Sequence, residues 1–261
     1  NPSSTKWSQI KTDDFQLIFP DDFQGKAQEL ANLISYANEK SRLTLKTKPR
    51  KISIILQNNT TVDNGFVTLA PKRSEFYATP SQENDGVDWL KKLAVHEYRH
   101  VVQFEKYEEG VGNILKLIFG EQGMGALIVM TTPLWMIEGD AVMVETQHTE
   151  RGRGDYGPFL REFKAQLMEM DSLCYEKASF GSFKHYITDH YKLGYFLSEF
   201  VKDEFGANVW DSLMHKIVRN PFPPYPFSYH LKRITGKSTS QLYGDLIAAT
   251  RKKIMSKRGF Y

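Results

Sequence analysis

The sequence predicts an α+β protein: a small mixed N-terminal sheet with helices, a helix carrying the candidate chemistry, and a mainly helical C-terminal half. Three observations predict it. β-Branched and aromatic runs bounded by proline or polar turns are confined to about the first 80 residues. From Val87 onward apolar residues recur at helical spacing. Inside the first of those stretches lies His96-Glu97-Tyr98-Arg99-His100, whose two histidines, four residues apart, fall on one helix face.

Taken in order, Phe15–Phe19 reads as a short strand ended by Pro20, and Phe23–Leu43 has helical spacing through Ala27, Leu30, Ala31, Ile34 and Ala37. Lys51–Leu56 is a β-branched run between Pro49 and the polar turn Gln57–Thr61, hence a strand. Phe66–Ala70 and Glu75–Ala78 read as a hairpin about Pro71–Ser74, and Pro71 suits an edge position. A helix over Val87–Tyr107 follows, with Asp85 or Asp88 as N-cap. The uncharged run Gly123–Ile137 reads as a buried helix, with contact to a membrane surface as the alternative; it is shorter than the ~20 residues that span a bilayer and contains Pro133. Pro133-Leu134-Trp135 opens a helix to about His148, and Pro158 opens Phe159–Met170. Helices over His190–Phe205 and Asn208–Val218 are separated by Gly206, Pro221–Pro226 is irregular, and Ser238 or Ser240 caps a last helix to Met255. Arg151-Gly152-Arg153-Gly154 marks either a loop or a boundary between an α/β region, residues 1–150, and a helical region, residues 151–261.

Composition narrows the partners. The 261 residues are 41% hydrophobic and 25% charged, ordinary for a globular chain with a sizeable core. A net charge of +3 gives no ground for nucleic acid; the basic clusters 46–51 and 251–258 read as solvated faces. Cys174 is the single cysteine, which rules out a disulfide within the chain and any cysteine-based zinc site. The chain begins with Asn1, so either a leader was removed or the chain was trimmed, and the polar start NPSSTKW fits a mature terminus left after export. Its basic end fits a linker to a further C-terminal domain.

The histidine pair sets the chemistry. HExxH on a helix lets His96 and His100 grip one metal ion, with Glu97 placed as general base toward a metal-activated water. A third ligand is needed. Gln103 and Lys106 stand where a metzincin needs glycine and histidine, and no cysteine serves, so a carboxylate from a second helix remains. Glu138 supplies it: within Trp135–Glu145, a WxxEGxAxxxE pattern, it is flanked by Met136, Ile137, Ala141 and Val142, where an unpaired carboxylate would be costly. Gly139 would let another helix come close. Glu145, two turns on and on the same face, can accept the second ring proton of a ligand histidine.

HExxH followed by WxxEGxAxxxE resembles the gluzincin zinc metallopeptidases, as in the aminopeptidase and leukotriene-hydrolase group. Tyr191-Lys192-Leu193-Gly194 is similar to that group's YxxG segment, whose tyrosine stabilises the oxyanion. The run EGDAVMVET…GRG, with ATPSQ before the active helix, resembles bacterial exported peptidase domains that precede a β-propeller. The resemblance covers residues 60–206 well and the ends weakly. It implies a bound Zn2+ on His96, His100 and Glu138, Glu97 and Tyr191 as catalytic residues, and a peptide or protein substrate. Tyr195, Tyr186, His185 and His190 are the substitutes for Tyr191. The interval from His100 to Glu138 is roughly double that of the aminopeptidases, and no GxMEN substrate-amine loop is present, so the resemblance implies the metal site and not exopeptidase activity.

The strand with Gly65, Phe66 and Val67 is the candidate edge for pairing with an extended substrate. Two rival readings stand beside peptide hydrolysis: a catalytically inactive, peptidase-like interaction module of a larger exported or surface protein, and a hydrolase of a non-peptide amide or epoxide. Gly236-Lys237-Ser238 lacks the first glycine and the preceding strand of a phosphate loop, and His148 and His215 lie isolated on polar faces.

Overall fold

The computed structural model describes residues 4–79, 88–170 and 173–258. Five strands form one mixed sheet: β1 (Trp7–Lys11), β2 (Phe15–Pro20), β3 (Ile52–Gln57), β4 (Gly65–Leu69) and β5 (Lys72–Tyr77), in the order β1-β2-β3-β5-β4. The outer pairs β1/β2 and β4/β5 are antiparallel, and the inner pairs β2/β3 and β3/β5 are parallel. Parallel neighbours need a crossover. Helix α1 (Gln24–Ser41) provides the first, burying Leu30, Ile34 and Ala37 against the faces of Leu17, Ile54 and Leu56. β1 has no apolar alternation because, as an edge strand, it is almost wholly exposed. β5 begins earlier than the sequence predicts: Lys72, Arg73 and Ser74 are strand residues paired with Leu69, Thr68 and Val67, and not a turn. Their polar side chains have partners there, Lys72 with Glu105 and Glu108 on the next helix.

Helix α2 (Trp89–Tyr107) runs through the middle of the molecule and is buried along almost its whole length, charged residues included. Asp88 caps it, accepting from the backbone N–H groups of Leu90 (3.1 Å) and Lys91 (3.3 Å). Asp85, the other candidate cap, lies outside the described residues.

Helix α3 (Gly110–Thr131) corrects the expectation of a buried helix over 123–137. It is broken at Gly120, whose φ of 67° no β-carbon residue adopts readily, and it stops at Thr132–Pro133. Its apolar side chains are largely outward: Leu117, Val129 and Met130 are at least 80% exposed. By length and composition alone it could cross a membrane, but the break divides it into two pieces well short of the ~20 residues a span needs.

Pro133 then starts α4 (Leu134–His148), buried on nearly every side. A 3-10 turn, Arg153–Asp155, leads to α5 (Gly157–Glu169), α6 (Tyr175–Phe180) and α7 (His190–Phe205). Asp189 caps α7 on the Lys192 N–H at 3.0 Å, and Gly206, with φ 92°, ends it. The chain closes with α8 (Val209–Arg219), α9 (Pro226–Thr235) and α10 (Thr239–Arg258), the last capped by Ser238.

α4 and α7 cross at two glycines. A β-carbon on Gly139 would lie 2.0 Å from the carbonyl carbon of Gly194, and one on Gly194 would lie 1.9 Å from the Trp135 carbonyl oxygen. That approach brings α7 against the helix carrying Glu138.

Candidate metal centre

His96 and His100 sit one turn apart on α2, both buried, and α4 brings Glu138 to them. Glu138 Oε2 is 3.3 Å from His96 Nε2 and 3.3 Å from His100 Nε2, and the two Nε2 atoms are themselves 3.3 Å apart. Three donors at the corners of such a triangle match a tetrahedral ion: bonds of about 2.0–2.1 Å put neighbouring ligand atoms about 3.3 Å apart. Among the described residues this is the one such cluster of metal-ligating side chains. Buried Oε2 has no hydrogen-bond partner despite both rings being near. An orphaned carboxylate oxygen aimed at the same point as two ring nitrogens fits a cation at that point.

Electrostatics agree. Burial would raise the carboxyl of Glu138, but the adjacent His100 and His96 rings outweigh it and hold the group far below the carboxylate range. Burial would lower His100, but Glu138 raises it to about 9. The site favours a positive charge between these groups, whether proton or metal.

Each ring's far nitrogen is held differently. His100 Nδ1 is 2.9 Å from Gln103 Oε1. His96 Nδ1 is 3.3 Å from Glu145 Oε2 and 2.6 Å from Arg153 Nη2. Glu145 is fully buried and accepts from the Arg153 backbone N–H (3.0 Å), Nε (2.9 Å) and Nη2 (2.6 Å). Burial pushes its carboxyl up, and the Arg153 and His96 contacts bring it down to about 2. Were a metal held on Nε2, His96 would carry its proton on Nδ1 and could donate it to Glu145, 3.3 Å away. An N–H cannot donate to an N–H, so the guanidinium then serves Glu145 alone.

Arg153 is the residue that sequence reasoning missed. Its signal lay in the flanking glycines: a β-carbon on Gly152 would be 2.3 Å from Thr146 Cα, and one on Gly154 would be 2.2 Å from the Tyr195 ring. The GRG segment is threaded between two walls with Arg153 turned into Glu145.

Glu97 is buried beside the histidines, under the start of β4, where Gly65 leaves room: a β-carbon there would meet Glu97 Cγ at 3.2 Å. Tyr191 stands on the other side, one turn before the Gly139–Gly194 crossing, with its ring 6.2 Å from that of His96 and the Arg153 guanidinium 5.2 Å over its face. Burial and then the Glu138 charge push its hydroxyl up to about 12, so it is a neutral donor. Of the substitutes, Tyr186 and His185 are exposed, Tyr195 is buried against Gly154, and the His190 ring lies tilted against that of Tyr191 with centroids 4.5 Å apart.

His96, Glu97, His100, Glu138, Glu145, Arg153 and Tyr191 line a cleft of about 1030 Å³, together with Gly65, Phe66 and Val67. β4 is the last strand of the sheet, paired on one side only. Tyr77 N–H donates to Asn64 O, so residues 64, 66 and 68 turn their backbone groups to β5, while Gly65 and Val67 turn theirs to the open edge. Phe66 faces the sheet with its backbone; Ser74 Oγ donates to its carbonyl.

No protein-family model matches the chain, and no curated protein does. Among solved structures it is similar to a functionally unknown conserved protein from Bacillus anthracis str. Ames, with a TM-score of 0.49 and 12% identity over 96% of this chain and 51% of that one. It is also similar to an aminopeptidase N family protein from Idiomarina loihiensis, with a TM-score of 0.41 and 12% identity over 93% and 46%. The chain spans about half the length of these two structures.

Proposed function

We propose that the chain is a zinc metallopeptidase of gluzincin type, with His96, His100 and Glu138 as the metal ligands. The observation that carries this is the convergence of their three donor atoms at mutual distances of 3.3 Å, with Glu138 Oε2 otherwise unpartnered. Two imidazoles, one carboxylate and an open fourth side suit a catalytic zinc. When bound, zinc supplies the Lewis acidity that makes water a nucleophile at neutral pH and polarises a carbonyl.

The residues of the chain do the rest. Glu97 takes the proton of the attacking water and returns it to the leaving amine. Tyr191 donates its hydroxyl proton as a hydrogen bond to the negative charge that develops on the carbonyl oxygen. Glu145 holds His96 in the ligating tautomer. An extended peptide pairs with the Gly65 and Val67 backbone along the open edge of β4, which orients the scissile bond over Glu97.

One contact favours the alternative, an inactive interaction module that holds no metal. With Arg153 Nη2 at 2.6 Å donating to His96 Nδ1, the ring's proton sits on Nε2, where it blocks coordination. Elemental analysis of protein purified without chelator separates the two: about one zinc per chain is expected. Protein that stays metal-free after zinc addition removes the peptidase reading. A peptide library cut by wild type and spared by zinc-loaded Glu97→Gln assigns the base; equal turnover by that variant takes Glu97 out of the mechanism.

A further inference from the structure

We infer that Gln103 is a positioning residue that holds the Nδ1 proton of His100, so that Nε2, the nitrogen facing Glu138, is the one left to ligate a metal. The orientation of the Gln103 amide decides this. Its Nε2 lies 2.9 Å from the Ile137 carbonyl oxygen and 2.7 Å from Asp140 Oδ2. Both are acceptors only. Asp140 is held as a carboxylate by Arg99, whose Nε donates to Oδ2 at 2.6 Å and whose Nη2 donates to Oδ1 at 2.9 Å. Arg99 is itself held by the Ser41 carbonyl at the end of α1. Turning the amide over would set its oxygen against a carbonyl and a carboxylate at once. Its oxygen therefore faces His100 Nδ1, 2.9 Å away, and an oxygen can only accept.

The chain Arg99–Asp140–Gln103–His100 is closed to solvent: Arg99, Asp140 and Gln103 are each 0% exposed. Its donors converge on Asp140 from both ends: the guanidinium donates to the carboxylate, and on the other side the imidazole donates to the amide and the amide to the carboxylate. A buried network with each member satisfied holds one arrangement. It also gives the two ligand histidines different supports: a carboxylate behind His96 and a neutral amide behind His100. The Nδ1 proton of His100 stays with Gln103 when a metal takes Nε2.

The inference takes its metal from the proposed function, but the tautomer of His100 exists without it, so two measurements keep the two apart. The first is nitrogen NMR of His100 in chelator-treated protein, on the alkaline side of its titration. Wild type is expected to show the proton on Nδ1, and Gln103→Met, of similar volume but without an acceptor amide, to show it on Nε2. A wild-type proton on Nε2 overturns the inference whether or not zinc binds. The second is zinc affinity by chelator competition. Gln103→Met is expected to weaken it about 10–100-fold. A Gln103→Met affinity within about threefold of wild type would show that the amide does nothing for the ligand and overturn the inference. If neither variant nor wild type binds zinc, the peptidase reading falls and the NMR result alone decides for or against Gln103.

Discussion

Gly139 on α4 and Gly194 on α7 touch backbone to backbone, so closely that a β-carbon on either would overlap the other helix. This contact sets the distance between Glu138 and Tyr191, each a neighbour or one turn from the crossing. It gives the spacing of Tyr191-Lys192-Leu193-Gly194 a physical reason: the glycine seats α7 and the tyrosine one turn earlier reaches the cleft that His96, His100 and Glu138 line. Overpacking commonly costs about 1–3 kcal/mol, and here the obstacle is backbone that cannot rotate away, so Gly194→Ala is expected at the upper end or beyond. Urea denaturation of chelator-treated protein measures it. A loss under about 0.5 kcal/mol would mean that the helices part without strain.

Tyr191→Phe removes a neutral hydroxyl from the cleft and keeps the ring that His190 and Arg153 pack against. Under the proposed mechanism kcat falls about 10²–10³-fold while zinc affinity and melting temperature hold. Single-turnover kinetics on a cleaved peptide provide the check. Unchanged kcat would move the oxyanion donor elsewhere, with Arg153 the next group on the cleft wall.

Glu138→Gln keeps shape and loses charge. Zinc at about a thousandfold its dissociation constant stabilises a protein that binds it only when folded by about 4 kcal/mol. Wild type is therefore expected to melt several degrees higher with zinc than with chelator, and Glu138→Gln to lose most of that difference. Calorimetry with and without zinc measures both. An equal rise in the variant would show that the ion sits somewhere else.

Much of this site could be read from the residues because its members obey helical spacing. His96 and His100 share a face by being four apart, and Glu138 stands out as a carboxylate among Trp135, Met136, Ile137 and Ala141. The same reasoning applies to Asp140, equally enclosed by apolar neighbours, and to Arg99, one turn from His96; their pairing across 41 positions is a tertiary fact that periodicity does not carry. Gln103 counted in the sequence only as a residue that could not complete a metzincin site. Arg153 reaches Glu145 from a 3-10 turn, where no period exists to read. The sheet divided in the same way: β2 and β3 are buried and alternate, whereas β1 is an exposed edge with nothing to alternate against. In α3 the apolar residues suggested burial, but the break at Gly120 and the stop before Pro133 turn many of them outward.

Glu105, on the last turn of α2, ties that helix to β5 and to the segment before β3. Lys72 Nζ lies 2.6 Å from Oε2, and Arg50 Nε donates to Oε1 at 2.8 Å. Burial alone would raise its carboxyl, but these partners hold it below its ordinary value of 4.5. Lys72 is also lowered, because burial of its ammonium outweighs the same pairing. The two shifts act at opposite ends of the pH scale, and only that of Glu105 governs acid. A carboxyl whose folded pKa lies below its unfolded one contributes stability that is complete above the unfolded value and disappears as pH falls through the folded one. Glu105→Gln cannot titrate. The stability gap between wild type and Glu105→Gln is thus expected to be widest near neutral pH, to begin closing near pH 4.5, and to keep shrinking as the pH falls further. Denaturation midpoints of the chelator-treated proteins across that range measure it. A gap of constant size would show that the carboxylate's charge, as distinct from its hydrogen bonds, does nothing for the join between helix and sheet.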